Sequence, residues 1–157
     1  MNKIEECVLG VVEFNTLAGN FDDVSEENLI AQALVVREEA DELFDAVNLK
    51  EGNTQILKEC VDALATVHGF AAMLQRKGFD VVGAWKAVNE NNMSKFVDSY
   101  ETACYTKIGY EATEGDGFYV AKAGDKYCVK DINHKVRKPM GYKKISVAAF
   151  TPEGKEE

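Results

Sequence analysis

Two acidic clusters, 17 residues apart, set the hardest constraint on how this chain can fold. Arg37-Glu38-Glu39-Ala40-Asp41-Glu42 is the first and Glu59-Cys60-Val61-Asp62 the second, each inside apolar residues of helical period. Side chains three or four positions apart are neighbours on a helix surface. Glu39 with Glu42, and Glu59 with Asp62, therefore form two pincers whose members lie about 60° apart around their axes. Like charges at this spacing repel and weaken an isolated helix. Val36, Ala40 and Leu43 flank the first pair, and Cys60 and Leu64 the second. Two helices packed antiparallel along those residues would gather four carboxylates. A divalent cation between them is the simplest relief of the repulsion.

The remaining pattern supports a mainly α fold. A first helix is expected from about Asn2 to Leu17, with Ile4, Val8, Val11 (or Val12) and Phe14 at helical spacing, stopped by Gly19-Asn20. Ser25 is a good N-cap for a second helix, roughly Glu26 to Leu49, whose first turn holds Glu26 and Glu27. Its seam reads Leu29, Ala33, Val36, Ala40, Leu43 and Val47. Asn53 caps a third helix of about Thr54 to Lys77, with Leu57, Cys60, Leu64, Val67, Ala71 and Leu74 as its seam. Asp80 opens a fourth, roughly Val81 to Asp98. The short connections place neighbouring helices antiparallel, as in a four-helix bundle.

Beyond about Tyr100 the chain is rich in Tyr, Gly, Val and Thr, and alternation replaces the helical period. Gly117–Ala121, Gly124-Asp125 and Lys126–Val129 read as a β-hairpin, with another extended piece around Lys143 to Phe150 and a frayed end from Thr151 to Glu157. The expected organisation is a helical core over residues 1–99 and a small β-rich extension of the same domain over 100–157.

Eighteen basic residues against 27 acidic ones give a net charge of −9 and a pI near 4.8. That balance argues against nucleic acid or an anionic membrane as a partner. A small phosphorylated ligand is still allowed, because bound metal inverts the local potential. Cys7, Cys60, Cys104 and Cys128 show neither CxxC nor metal-finger spacing. A reduced, cytoplasmic protein is expected, with no signal peptide and no span of membrane length.

Ligand type follows from the donors. The carboxylates are hard oxygens with no histidine at ligand spacing, which favours Mg²⁺, with Mn²⁺ as a substitute. A di-iron bundle needs Glu-x-x-His, but Asp62 stands three after Glu59, and Ala65 stands three before His68. A calcium loop, a P-loop lysine motif and a Gly-x-Ser-x-Gly elbow are absent. Asn89, Asn92 and Lys95 recur in steps of three, a polar stripe able to follow an oxyanion chain. The same stripe also suits an ordinary polar helix end. Trp85, Phe14 and Phe70 could stack on a base, although core positions suit them better.

Glu38-Glu39-x-x-Glu42 followed by Glu59-x-x-Asp62, with Asn92-Met93-Ser94-Lys95 downstream, resembles the signature of the all-α nucleoside triphosphate pyrophosphatases. The similarity is to the MazG-like and phosphoribosyl-ATP pyrophosphohydrolase-like members, small phage-encoded ones included, and covers about Leu29 to Phe96. It implies a MazG-like four-helix core in which Glu39, Glu42, Glu59 and Asp62 hold Mg²⁺. Glu38 would orient or deprotonate the attacking water, or hold a further metal ion. Asn92 and Lys95 would contact phosphates, and Asn15 would lie near the nucleotide. The implied reaction converts a (d)NTP to a (d)NMP and pyrophosphate, in a homodimer or homotetramer of a bacterial or phage-encoded protein. The alternatives are a non-catalytic, metal-stabilised helical interaction protein and another metal-dependent nucleotide phosphohydrolase.

Overall fold

The computed structural model describes residues 3–155. Five helices and one two-stranded hairpin make up the regular structure: α1 (Lys3–Leu17), α2 (Glu26–Asn48), α3 (Asn53–Arg76), α4 (Val81–Met93), α5 (Tyr100–Glu114), β1 (Tyr119–Ala123) and β2 (Lys126–Lys130). The chain divides into two compact units, Met1–Val81 with Phe150–Glu157, and Val82–Ala149. The expected start of the first helix at Asn2, and the chain end at Glu157, lie outside the described residues.

In the first unit α3 packs against both α2 and α1. Local signals place the helix ends. Gly19 takes φ +72° after α1, and Asn20 N–H returns to the Asn15 carbonyl at 3.0 Å. Ser25 Oγ accepts from the Asn28 N–H at 3.3 Å and caps α2. Gly52, with φ +99° and no side-chain cap bond, precedes α3, so Asn53 is the first helical residue and not its cap. The described core is small: Phe21, Ala72 and Met73 are buried, with Val12 and Leu29 against them. The Arg76 guanidinium lies 4.5 Å over the Phe21 ring.

The expected seams are kept only in part: Leu29, Val36 and Leu43 on α2 and Cys60, Ala71 and Leu74 on α3 are half-buried. Leu57 is 66% exposed, Leu64 54%, and Val47 on α2 54%, whereas Glu59 is only 4% exposed. α2 packs on α3, and the less exposed positions include Val36, Glu39, Leu43 and Ala46 on α2 and Ile56, Glu59, Ala63 and Thr66 on α3. Counting apolar residues alone leaves out Glu39 and Glu59, whose carboxylates come together between α2 and α3. Phe14, at 68% exposure, and Trp85, at 58%, are not core residues either.

Of the end expected to be frayed, the described part, through Lys155, is packed within the first unit. Asp80 N–H donates to the Phe150 carbonyl at 2.8 Å, and Pro152 lies over Gly78, where an added Cβ would meet its ring at 3.5 Å. A turn of 3₁₀ helix covers Glu153–Lys155.

The second unit is more helical than expected. Tyr100–Glu114 forms α5, capped by Ser99, where alternation suggested strands. Ala103 and Thr106 bury one face of this helix, which packs on both strands. The hairpin pairs Tyr119 with Lys130 and Ala123 with Lys126 around Gly124-Asp125. Gly124 at φ +66° supplies the turn geometry that places glycine first. Single bridges join Val97 to Tyr127 and Val136 to Lys130, flanking β2. The extended piece expected near Lys143 is absent, and Ala148–Phe150 is a 3₁₀ turn. α4 also ends earlier than expected, at Met93 rather than near Asp98.

Arg137 organises this unit. Its guanidinium lies 4.6 Å over the Tyr110 ring and 5.2 Å over Phe118, and donates to both Glu114 oxygens at 2.7 Å. It also reaches Asp131 at 3.4 Å. Desolvation pushes the Asp131 carboxyl up, but the backbone N–H groups of Lys135 and Asn133, together with Arg137, outweigh it and hold the carboxyl below its usual range.

Met73, 1% exposed, is among the largest fully buried side chains. Met73→Ala is expected to destabilise the first unit by about 2–5 kcal/mol, read as a lower midpoint in urea with an unchanged slope.

Candidate metal centre

Glu39 on α2 and Glu59 on α3 fall on the buried stripe, and Glu42 follows one turn after Glu39 at its edge. One carboxylate oxygen from each of Glu39, Glu42 and Glu59 lies within 4.8 Å of the other two. These groups crowd. Desolvation, then the negative charges of Glu39 and Glu59, push the Glu42 carboxyl above its ordinary value. The donors are all hard oxygens, so a hard divalent cation suits them.

Two neighbours of Glu59 were not singled out by the sequence reading. Gln55 Nε2 donates to Glu59 Oε1 from one turn earlier on α3. Lys58 Nζ lies 3.1 Å from both Glu59 oxygens and 2.9 Å from Asp62 Oδ2. Hydrogen bonds to Asp62 and then to Glu59 hold this ammonium charged well above the ordinary lysine range. A cation therefore already sits on Glu59, one carboxylate of the three-glutamate cluster, and on Asp62 beside it. Lys58 could have been noticed from its position, adjacent to Glu59 and four before Asp62.

The other expected residues are placed as follows. Asp62 pairs with Lys58 and is outside the three-glutamate cluster. Glu38 is exposed, on a shallow groove shared with Leu34, Arg37, Asp41 and Glu42. Asn15 is buried at 7% exposure on α1, its Nδ2 donating to the Val11 carbonyl at 2.8 Å and its Oδ1 accepting from Asn20 at 2.9 Å. Gly69 on α3 makes room for this amide, since a Cβ there would stand 3.1 Å from Asn15 Nδ2. Asn89, Asn92 and Lys95 belong to the second unit, where Lys95 Nζ donates to Asn92 Oδ1 at 2.8 Å.

A cavity of about 490 Å³ is lined by residues of α1, α2 and α3, among them Phe14, Asn15, Gln32, Thr66 and Gly69, and by Asn20. Its α2 and α3 walls continue the seam that carries the glutamates. Val35 lies one turn before Glu39, and Thr66 lies one turn after Asp62, donating back to the Asp62 carbonyl at 3.2 Å. One turn of helix is about 5.4 Å, so the cavity lining begins about one turn from Glu39 along α2 and nearly two turns from Glu59 along α3, and none of the three glutamates lines it.

Comparison with protein-family models, with curated proteins and with solved structures found no match in any of the three. Among the described residues no helix is long and apolar enough to cross a membrane, and all four cysteines are free.

Addition of Mn²⁺ at a hundredfold excess over its Kd should stabilise the chain by about 2.7 kcal/mol. Glu59→Gln should remove that gain, measured as the loss of the metal-dependent rise in Tm.

Proposed function

We propose that this protein is a Mg²⁺-dependent nucleoside triphosphate pyrophosphohydrolase, releasing pyrophosphate and a nucleoside monophosphate from a (d)NTP. The observation that carries this reading is the gathering of the Glu39, Glu42 and Glu59 oxygens within 4.8 Å of one another, on the same two helices, α2 and α3, that help to line an amide-edged cavity of about 490 Å³. The resemblance of Glu38-Glu39-x-x-Glu42 and Glu59-x-x-Asp62 to the all-α pyrophosphatases supports it, and the family's four-helix core is part of the proposal.

Glu39, Glu42 and Glu59 would hold the metal, with Asp62 at the rim. When bound, Mg²⁺ screens polyphosphate charge and lowers the pKa of water. The chain supplies the rest. Gln55 fixes the orientation of Glu59 through its hydrogen bond. The exposed Glu38 carboxylate takes the water-handling role that the resemblance implies, accepting a proton from water at its oxygen. Asn15, Asn20 and Gln32 present amide donors and acceptors suited to the edge of a base, while Phe14 offers an exposed ring for stacking. Phosphate contact by Asn92 and Lys95, with Asn89 beside them, rests on the resemblance alone.

A homodimer or homotetramer belongs to the same proposal. Leu57, Val61 and Leu64 are each more than half exposed along one stripe of α3, and Ile30, Leu34 and Phe44 along one stripe of α2. Apolar surface of this kind marks contact with another protein surface. Sedimentation should give a mass at least twice that of one chain, and a monomer at micromolar concentration would remove this part.

Turnover is the main test. Glu39→Gln and Asp62→Asn are each expected to abolish Mg²⁺-dependent pyrophosphate release while the helical CD spectrum is kept. Lys95→Ala is expected to raise KM more than it lowers kcat. Full turnover in both carboxylate variants would overturn the reading, and product analysis separating pyrophosphate from phosphate distinguishes it from other phosphohydrolases.

A further inference from the structure

The ammonium of Lys58 occupies ground that a metal ion needs. Its three N–H donors have three carboxylate oxygens within 3.1 Å, two on Glu59 and one on Asp62. Glu59 is the most buried carboxylate of the centre, its side chain 5% exposed. A charge so enclosed requires a partner, because an unpaired one is strongly unfavourable away from water. The partner it has is not itself locked in place. The Lys58 side chain is 57% exposed, and a lysine is a compact charge on a flexible stem.

We propose that Lys58 is an exchangeable counter-cation, bound to Glu59 and Asp62 when metal is absent and transferred to the polyphosphate of the substrate when metal binds. This rests on the metal reading above. Mg²⁺ takes oxygens at about 2.0–2.1 Å, so an ion ligated by Glu59 competes for lone pairs that now accept from Lys58. Two cations cannot share those oxygens without strong repulsion. Gln55 is neutral and can keep its bond to Glu59 Oε1, so the carboxylate stays oriented while the ammonium leaves. The freed ammonium remains tethered one residue from Glu59, at the exposed rim of the centre. A polyphosphate brought to the metal supplies the negative charge that Lys58 gives up. The chain thus keeps Glu59 paired in both states, and the metal and the anion arrive as a coupled pair.

The test uses the full chain, with free Mn²⁺ followed by its EPR signal and no nucleotide present. Lys58→Met should bind Mn²⁺ about tenfold more tightly than the native chain, the scale on which one neighbouring unit charge acts near a protein surface. Lys58→Arg, which keeps the charge, should stay close to native. In the Mn²⁺-loaded protein, inorganic tripolyphosphate should bind severalfold more weakly to Lys58→Met than to native, with Lys58→Arg retaining most of the affinity. CD spectra establish that each variant is folded. Equal Mn²⁺ affinity in native and Lys58→Met would overturn the exchange, and equal tripolyphosphate affinity would overturn the transfer to the anion. Mn²⁺ binding to none of the three would overturn the metal reading together with this one. Tight Mn²⁺ binding without nucleotide turnover would overturn only the enzymatic reading and leave both comparisons decisive for Lys58.

Discussion

The first unit depends on how it accommodates a carboxylate inside a helix–helix contact. Glu59 is 4% exposed on the face of α3 that meets α2. Burying a charge is unfavourable unless it is paired and hydrogen-bonded, and this one is both, through Lys58 and Gln55. That compensation fixes several other features. With Glu39 and Glu59 on the contact face, apolar side chains such as Leu57 and Leu64 are left on the outside. The described core is correspondingly small, centred on Phe21, Ala72 and Met73. A seam that gives positions to carboxylates leaves fewer for apolar packing.

How much of this could be read from the residues depends on the range of the signal. Caps and stops are local chemistry, and Ser25, Gly19 and Gly124 mark the ends that they should. The juxtaposition of Glu39, Glu42 and Glu59 was also legible, because i,i+3 spacing is a property of any helix. Which face α2 and α3 share was not. Two apolar stripes compete on each helix, and the choice rests on partners distant in the chain. Lys58 escaped notice because a lysine beside acidic residues on a helix is ordinary, and only coordinates show its ammonium on both carboxylates. α5 was missed for a different reason. Its tyrosines and threonines favour strands in isolation, but tertiary contact through Ala103 and Thr106 overrides that weak preference.

The second unit uses a different strategy. Most of the acidic residues fall in the first unit, whereas basic residues outnumber acidic ones between Val82 and Ala149. An average over the whole chain conceals that division. Arg137 stands at the centre of the basic segment, but its charge is taken up by Glu114 and Asp131 and its plane by Tyr110 and Phe118. Its role is to hold α5, the hairpin and the following loop to one another. Such a small unit lacks room for a large apolar core, and a planar cation stacked on aromatic rings supplies contact area that aliphatic side chains elsewhere provide.

The bond from Asp80 N–H to the Phe150 carbonyl has a topological meaning. The first unit is discontinuous in sequence: the chain leaves it after Val81 and rejoins it at Phe150, beside the contact of Pro152 with Gly78. An excursion closed at its base can open locally while its host keeps its own register. It can also lengthen or shorten at modest entropic cost, because closure depends only weakly on the length of the loop.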